Sequence, residues 1–354
     1  MEAQQKQYLN RLKEELSRFF NSEAFTLEPL HSGASVRRFL RLKFKKSLYF
    51  PQKEIVLMVI PGDRLEMADD YLNISYYLRR HNIPRPRIFE IRRDSGWLFL
   101  APAAGFPLKD YIHNHPQELT DLLQRLTDFL IRMQQKARPE NHCPAFRRFF
   151  DAEKYRYEFD FHVRQQLIES YWKHSLSEKE QQVFREFSEE ISRFLDGKEP
   201  VFVHRDFQSS NIFFNPKNQK IPFQIIDFQD ARSGSRIYDL VSLLWDSYLE
   251  VPQELRAGLL KHFYENQPAV QEQFSPEEYQ KTVDYTVIQR KLHDAGAFVY
   301  TWFLLQNRSF LNYINPAVDM ALEVMAHYPR LSTAGNLLQK IRENSNVQNS
   351  DIQT

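Results

Sequence analysis

Residues 201–214 read VFVHRDFQSSNIFF, an apolar run interrupted by polar side chains that include Asp206 and Asn211. Asp227 follows one apolar segment later, directly after FQII. A carboxylate can accept the proton of an attacking hydroxyl, and carboxylate and amide oxygens are the ligands that Mg²⁺ prefers. Phosphoryl transfer needs a positioned base and a metal site of this kind. The three residues together therefore predict a site for phosphoryl transfer, whereas the tripeptide His-Arg-Asp alone would fit an ordinary surface turn.

Short strands are expected to position these side chains, because each polar group lies at the end of a short apolar segment. The region after Pro107 is otherwise mostly helical, and capping boxes at Ser177 and Ser275 open helices that reach about residue 196 and past residue 300. Apolar residues between 119 and 133 recur at helical spacing and predict another buried face. The predicted strands are residues 201–203, 212–214 and 223–226.

The region from about residue 25 to residue 100 has a different character. Its segments RRFLRLKF, EIVLMVI, RIFEI and WLFL have the composition of strands and are separated by Gly, Pro and Asp. Helical patterns over residues 7–20 and 63–83 precede and interrupt them. The expected fold class is therefore α+β, with a small antiparallel sheet followed by a larger helical body.

The motif H-R-D-x-x-x-x-N followed by I-D-F resembles the catalytic pattern of the protein-kinase-like fold. The form VHRDFQSSN followed by IIDFQDARSGSRIYDLVSLLWDSY is similar to the aminoglycoside phosphotransferase and choline kinase branch, which phosphorylates small molecules. HRDFQSSN, IDFQDA, YDLVSLL and QRKLHDAGAF look most like the bacterial anomeric kinases of N-acetylmuramate and N-acetylglucosamine, which serve cell-wall recycling. The likeness extends from about residue 30 to about residue 325 and is densest between residues 204 and 246.

This resemblance implies a bilobal protein-kinase-like enzyme that uses ATP and Mg²⁺. The connection between its lobes is expected near LFLAPAAG, where the backbone of Leu100 and Pro102 would face an adenine edge. The expected units are an N-terminal helical extension, a nucleotide-binding N-lobe, a helical C-lobe with the catalytic loop and acceptor site, and a polar tail. Their bounds are 1–24, 25–102, 103–340 and 341–354.

Roles within the predicted catalytic loop follow from the same pattern. Asp206 is expected to be the catalytic base, and Asn211 and Asp227 are expected to be catalytic metal ligands. An anomeric hydroxyl is more acidic than an ordinary alcohol, so this base needs little elevation of its pKa. His204 and Arg205 are expected to brace the loop by hydrogen bonds rather than to contact the substrate.

The segment HSGASVRRF is the predicted phosphate-binding element. Gly33, Ala34 and Ser35 would let backbone N–H groups approach the phosphates. Arg37 would add positive charge there. An ordinary hairpin turn is the alternative, because a single glycine is a weak signal.

The N-terminal region departs from the kinase-like pattern at one strand. Such folds carry a lysine there, paired with a helix glutamate, to hold the phosphates. EIVLMVI offers Met58 and Val59 instead, a lack that the anomeric sugar kinases share, and Glu66 is left without an assigned partner. The candidates for the replacing cation are Arg37, Arg38 and Arg41.

Further polar residues near the loop are candidates for contacts with the acceptor. The amides of Gln208 and Gln229 suit sugar hydroxyls, although a structural role fits them nearly as well. Asp230 would assist the metal or contact the sugar, and Asp246 would face either the acceptor pocket or solvent. Asp239 fits a helix N-cap, and the resemblance implies a buried acceptor that steadies the catalytic loop.

The helical segments KYRYEFDFHVRQQ and IQRKLHDAGAFVYTWF contain acids matched by bases, which favours a neutral or anionic sugar over a cationic acceptor. Arg290 is the candidate for binding a carboxylate on such a sugar. The alternative is an intrahelical ion pair with Asp294, four residues further on. The same spacing relates Gln289 to His293 and Glu158 to His162.

Composition narrows the classes of partner. The 354 residues are 42% apolar, and 47 basic residues face 46 acidic ones, so a packed core is expected and a nucleic-acid partner is not. The absence of a signal-peptide pattern and of any run of about 18 apolar residues predicts a cytoplasmic protein without a membrane partner. The lone Cys143 argues against a disulfide framework or a cysteine metal cluster. A monomer or weak homodimer is expected.

The leading hypothesis is an ATP- and Mg²⁺-dependent kinase for a small-molecule sugar. Its acceptor would be the anomeric 1-hydroxyl of an N-acetylated or related hexose, and its product would feed cell-wall recycling or nucleotide-sugar synthesis. A kinase for an aminoglycoside or another amino alcohol is the second hypothesis. A nucleotide-binding pseudokinase is the third: the missing lysine motivates it, whereas Asp206, Asn211 and Asp227 oppose it.

Overall fold

A computed structural model of the chain describes residues 2–21, 24–30, 37–46, 49–197 and 200–350. Within them, an antiparallel five-stranded sheet forms the N-terminal region, with the strand order β1-β2-β3-β5-β4. The predicted sheet is therefore confirmed. The strands are β1 (Phe25–Leu30), β2 (Arg38–Phe44), β3 (Glu54–Val59), β4 (Ile88–Arg92) and β5 (Trp97–Leu100).

Helix α1 (Glu2–Phe20) covers one face of this sheet. Its Leu12 and Leu16 share an apolar cluster with Leu40 and Leu42 of β2. Side chains alternate between the two faces of a strand, so the odd-numbered residues of β2 lie on the face opposite α1, where Phe39 packs against the main core. Arg37, one residue before β2, reaches the helical body, where it contacts Asp227.

The remaining elements form that helical body, together with helix α2 (Glu66–Arg80), which packs beside the sheet. The predicted helices with capping boxes at Ser177 and Ser275 are both confirmed. The helices are α3 (Leu108–Asn114), α4 (Leu119–Lys136), α5 (Ala152–Glu158), a π-helix (Phe159–Tyr171), α6 (Glu178–Leu195), α7 (Ile237–Leu244), α8 (Gln253–Glu265), α9 (Pro268–Gln273), α10 (Pro276–Leu305), α11 (Ile314–Met325) and α12 (Ser332–Ser350).

Further short strands in the described part of the chain pair into a two-stranded and a three-stranded sheet, and they include the three that the sequence predicts. The strand β8 pairs with β6 and β9, and β7 pairs with β10, all antiparallel. The pairing of β8 with β9 places the start of β8 next to the end of β9. The loop between β7 and β8 therefore lies beside the residues that follow β9. The strands are β6 (Phe106–Pro107), β7 (Val201–Val203), β8 (Ile212–Phe214), β9 (Phe223–Ile225) and β10 (Arg232–Gly234).

The π-helix lies against α10, and a glycine makes that contact possible. A Cβ atom at Gly296 would lie 1.9 Å from the carbonyl oxygen of His162, so a larger residue would clash with backbone. π-Helical segments are rare and occur often at functional sites. This close approach places the side chains of the π-helix next to those of α10.

The end of the chain differs from the prediction. A polar tail is expected from residue 341, but α12 continues through this segment to Ser350. Leu338 and Ile341 are each 1% exposed, and Ser345 is buried one turn further on. Their spacing forms a helical stripe that the polar composition of the segment concealed.

Candidate active site

The loop between β7 and β8 is held by buried acceptors for its backbone N–H groups. Asp239, 0% exposed, accepts hydrogen bonds from the N–H groups of His204 at 2.7 Å and Arg205 at 3.0 Å. His204 lies with Nε2 at 2.9 Å from the carbonyl oxygen of Ile226. Arg205 has a φ of +80°, a conformation that non-glycine residues seldom adopt without such support. The bracing roles of His204 and Asp239 are confirmed, and Arg236 is the N-cap of α7 instead.

Asp246 supports the same loop from a second point. Its carboxylate is buried and accepts hydrogen bonds from the backbone N–H of Ser209 at 2.5 Å and of Tyr248 at 2.8 Å. The alternative that Asp246 faces solvent is wrong, because the residue is 2% exposed, whereas its contact with the acceptor stays a prediction. Both of its oxygens accept hydrogen bonds from backbone amides, so the carboxylate positions the loop.

Asp206, the predicted base, faces a buried arginine. Arg290 donates a hydrogen bond to Asp206 Oδ1 at 2.9 Å, and the exposed fractions of the two side chains are 2% and 26%. Arg290 also forms the expected intrahelical ion pair with Asp294, at 3.1 Å. Burial would raise the pKa of Asp206, but the charges of Arg290 and Arg205 outweigh it and lower that pKa. Asp206 is therefore an ionised, weakly basic carboxylate at neutral pH.

Asn211 and Asp227 lie side by side next to this loop. The Nδ2 group of Asn211 donates to the backbone oxygen of Asp206 at 3.0 Å, and the carbonyl oxygen of Asn211 accepts from the N–H of Ile226 at 2.9 Å. Asp227 follows Ile226 with a φ of +61°, a region that aspartate tolerates better than most residues. The backbone thus brings the two predicted metal ligands to adjacent positions.

The chemistry of these two side chains fits a magnesium site. Asp227 Oδ1 receives hydrogen bonds from Arg37 at 2.9 Å and Gln229 at 3.1 Å, whereas Oδ2 has no such partner among the described residues. The amide oxygen of Asn211 is likewise available within that part of the chain. Among the described residues no cluster of three or more His, Cys, Asp or Glu side chains could hold a metal. Two oxygen ligands suit Mg²⁺, which is commonly held by one or two protein groups plus substrate phosphates.

The candidates for replacing the missing lysine are Arg37, Arg38 and Arg41. Of these, Arg37 contacts Asp227, the predicted metal ligand. Its side chain is 6% exposed and spans from the N-terminal sheet to Asp227. Arg38 stacks over the ring of Tyr8, with its guanidinium carbon 3.9 Å from the ring centroid. Arg41 pairs with Glu54 at 3.2 Å. The predicted phosphate-binding residues Gly33, Ala34 and Ser35 lie outside the described residues.

Gln229 lies between two carboxylates. Its Nε2 group donates to Asp227 Oδ1 and to Asp230 Oδ2, each at 3.1 Å, and the residue is 3% exposed. Arg148 donates to the carbonyl oxygen of Gln229 at 3.1 Å and also pairs with Asp70 of α2. Arg148 thereby ties α2 to the Asp227 segment, a link that sequence reasoning missed because no motif surrounds this residue.

The other predicted contacts are placed as follows. Gln208 is half-buried within the loop, and its backbone N–H donates to the carbonyl oxygen of Asp206 at 2.9 Å. Leu100 ends β5 and is buried, and Pro102 lies two residues further along the connection to the helical body. Gln224 of β9 accepts a hydrogen bond from the N–H of Ala104 at 2.9 Å and so tethers this connection.

Glu158 is a buried acid whose importance the sequence did not reveal. It is 0% exposed and pairs with Lys154 at 3.1 Å and, more loosely, with Arg205 at 3.7 Å. Gln289 of α10 donates to it at 2.8 Å, so the partner of Glu158 is not the predicted His162. Burial would raise the pKa of Glu158, but His293 and Arg205 outweigh that effect and lower it. The four-residue spacing of Lys154 and Glu158, which is typical of an ion pair within a helix, was the sequence signal that could have revealed this contact.

Comparison with known proteins indicates the same class of enzyme as the geometry of the site. The sequence profile of the phosphotransferase enzyme family matches residues 26–272. The chain belongs to this family. It is a small-molecule kinase, a phosphotransferase that acts on a hydroxyl acceptor.

Two curated relatives carry the name N-acetylmuramate/N-acetylglucosamine kinase. The protein from Neisseria meningitidis is 25% identical over 299 residues, which covers 83% of this chain and 84% of that protein. The one from Pseudomonas aeruginosa is 22% identical over 324 residues, with 89% and 88% covered. The likeness therefore runs through most of both chains.

Solved structures share the fold. A choline kinase from Streptococcus pneumoniae matches with a TM-score of 0.60 at 12% identity, covering 89% of this chain and 98% of the other. The GDP complex of an aminoglycoside 2′-phosphotransferase matches with a TM-score of 0.58 at 15% identity, covering 90% and 98%. The protein-kinase-like fold expected from the resemblance is thus confirmed. In the described part of the chain, the helices lack the length or apolar character for crossing a membrane.

Proposed function

We propose that this phosphotransferase transfers the γ-phosphate of ATP to a sugar, at the anomeric 1-hydroxyl of an N-acetylated hexose resembling N-acetylmuramate or N-acetylglucosamine. The observation that carries the proposal is the pairing of Asp206 with the buried Arg290. A carboxylate with a lowered pKa is a weak base, and a weak base suits an acidic hydroxyl such as the anomeric one. The names of the two curated relatives support the same acceptor. The product would enter cell-wall recycling or nucleotide-sugar synthesis.

In this proposal the chain's residues divide into two groups. Asp206 orients the anomeric hydroxyl and accepts its proton, while Arg290 and the loop's buried aspartates hold that carboxylate in place. Asn211 and Asp227 hold Mg²⁺, which when bound would neutralise charge on the phosphates. The GDP complex of the structural neighbour supports nucleotide use by this fold.

Arg37 is the proposed phosphate-binding cation. It occupies the boundary between the sheet and Asp227, where a kinase-like lysine would act, and guanidinium groups suit phosphate geometry. Arg37→Ala is expected to weaken nucleotide binding about tenfold, the scale of one charge-assisted hydrogen bond. The matched control is Arg38→Ala, since Arg38 stacks on Tyr8 instead. Equal nucleotide dissociation constants for the two folded variants, measured by calorimetry, would remove Arg37 from this role.

A coupled ATPase assay over three acceptor classes tests the function itself. Free N-acetylated hexoses should be turned over, whereas their 1-O-methyl glycosides should not, because the reacting hydroxyl is blocked. Phosphorus NMR of the product should show an anomeric phosphate rather than a 6-phosphate. Turnover on aminoglycosides alone would defeat the proposal, and no turnover on any acceptor would favour a nucleotide-binding pseudokinase.

A further inference from the structure

A series of neighbouring side chains leads from Asp206 along α10 to a group of three aromatic rings, two of which are exposed. Arg290, which pairs with Asp206 at 2.9 Å, starts the series. One turn further along α10, the ring of His293 packs against the ring of His162 with centroids 4.2 Å apart. His162 in turn meets Phe161 at 4.9 Å. The packing next to Asp206 therefore continues outward along the π-helix and α10, through the buried Arg290 and His293.

At its outer end three aromatic side chains form what we call the aromatic cluster: Tyr157, Phe161 and Tyr300. Phe161 stacks on Tyr157 with centroids 5.9 Å apart and planes at 3°, and it meets Tyr300 at 5.5 Å. Tyr157 is 56% exposed and Tyr300 is 39% exposed. A single exposed ring needs no explanation, but contiguous exposed rings are typical of a binding surface.

A second series of contacts returns from the aromatic cluster to the catalytic loop. The ammonium group of Lys154 lies 4.8 Å from the ring centroid of Tyr157. Lys154 pairs with Glu158, and Glu158 pairs with Arg205, which directly precedes Asp206. The two series close a loop, so packed side chains connect the cluster to the loop of Asp206 by two routes, one through His293 and one through Glu158.

The distance between Arg290 and Tyr300 along α10 and the charge of Lys154 together indicate which kind of ligand the aromatic cluster would bind. Ten residues separate Arg290 from Tyr300, and at about 1.5 Å per residue along a helix the two positions lie about 15 Å apart. That span exceeds a single pyranose ring that reacts at Asp206. Lys154 already lies over Tyr157, so a second cation is disfavoured there, whereas the apolar face of a sugar ring can stack on exposed aromatic rings.

We propose that the aromatic cluster is a second acceptor subsite, which binds a pyranose attached to the sugar being phosphorylated. The acceptors then include disaccharides that end in a free anomeric hydroxyl. The reaction is unchanged: the anomeric O–H loses its proton to Asp206, its oxygen bonds to the γ-phosphorus, and the bond to ADP breaks. This inference rests on the proposed function and extends its substrate class.

The test compares N-acetylglucosamine with N,N′-diacetylchitobiose as acceptors for the full-length chain. Phe161→Ala and Tyr300→Ala should each lower the ratio of kcat/KM for the disaccharide to kcat/KM for the monosaccharide about three- to tenfold, the scale of one aromatic stacking contact. Phe161→Leu keeps apolar volume at the packed position and should lower the ratio as well. Tyr76→Ala is the control, because Tyr76 is a 60% exposed ring on α2, outside the cluster.

Several results would overturn the subsite. The first is a wild-type enzyme that phosphorylates the monosaccharide but not the disaccharide. The second is an unchanged ratio of the two kcat/KM values in the folded variants. The third is the same unchanged ratio together with a shift in oligomeric state on size-exclusion chromatography. The last result would make the cluster an interface between copies of the chain. Failure of the wild type on every sugar would instead defeat the proposed function on which the inference rests.

Discussion

Two groups of carboxylates surround the catalytic loop, and they are held by different kinds of partner. Asp239 and Asp246, which we call the loop brace, accept hydrogen bonds from backbone N–H groups. Asp206, Glu158 and Asp294, which we call the charged wall, face arginine and lysine side chains. The first group positions the backbone of the loop, and the second keeps negative charge beside the proposed acceptor.

The two groups differ in pKa although burial acts on both in the same direction. Burial raises the pKa of Asp239 to about 7 and also raises that of Asp246, because backbone dipoles offset the loss of water incompletely. In the charged wall burial has the same tendency, but full positive charges outweigh it and lower the pKa. The nature of the partner therefore decides the protonation state of a buried carboxylate.

The largest expected effect comes from removing the reacting carboxylate of the charged wall. Asp206→Asn keeps the shape of the side chain but loses its charge and basicity, so kcat should fall about 10³-fold. Nucleotide binding should persist, because Asn211, Asp227 and Arg37 are untouched. Steady-state kinetics and calorimetric nucleotide titration measure the two effects. Loss of nucleotide binding together with loss of fold would contradict the assigned role.

Asp294→Ala should break the charged wall at its most enclosed ion pairs. Asp294 contacts Arg290 at 3.1 Å and Lys291 at 2.8 Å, and both basic side chains are at most 2% exposed. Removing one partner of a buried pair costs about 3–5 kcal/mol of unfolding free energy. Asp319→Ala, which removes a mostly exposed partner of Arg342, should cost at most about 1 kcal/mol. Similar urea midpoints for the two variants would show that burial of the pair contributes little.

Asp239→Asn tests the loop brace and should have a smaller effect. The amide retains one acceptor oxygen, so one of the N–H groups of His204 and Arg205 loses its partner, at a cost of roughly 1–3 kcal/mol. Activity should fall as well, because the loop conformation depends on this support. Urea unfolding and kcat measure both. A variant with the stability and kcat of the wild type would show that the brace is dispensable.

The pH dependence of stability should also separate the two groups. An aspartate has a pKa of about 4 in an unfolded chain. Asp239 has a raised pKa in the folded chain, so its contribution to stability is present below about pH 4 and is lost as the pH rises through about 7. Asp294 has a lowered pKa, so its contribution is present above about pH 4 and is lost as the pH falls below that value.

Unfolding at about pH 5 and about pH 8 measures this difference. The loss caused by Asp239→Asn should be greater at the lower pH, while the loss caused by Asp294→Ala should be nearly the same at both. A common pH dependence for the two variants would contradict the distinction between brace and wall.

Much of the fold was predictable because its signals are local. The strand at residues 201–203, the capping boxes at Ser177 and Ser275, and the helical pattern over residues 63–83 each depend on neighbouring residues. The structure confirms them, the last as α2 (Glu66–Arg80). The π-helix was not predicted, since its apolar spacing does not distinguish it from an α-helix. The helical end of α12 was missed because two buried residues, Leu338 and Ile341, are scattered among polar ones.

The candidate site was predictable in its side chains but not in its partners. Asp206, Asn211 and Asp227 follow from a motif, and their catalytic and metal-binding roles stay predictions for the experiments above. Arg37 was expected at the phosphates, and its contact with Asp227 joins residues 190 positions apart. Arg148 was not considered, because its two partners come from distant segments.

The sequence by itself determined which chemical groups are present, which of them neighbour one another along the chain, and much of the secondary structure that carries them. Only the tertiary structure decided that Arg290 would meet Asp206, that backbone amides would bind the carboxylate of Asp246, and that Tyr157, Phe161 and Tyr300 would form one aromatic cluster. The physical reason is that side-chain type and short-range spacing govern intrinsic chemistry and local conformation. Burial and Coulomb interactions depend instead on distances between residues that are far apart in the chain.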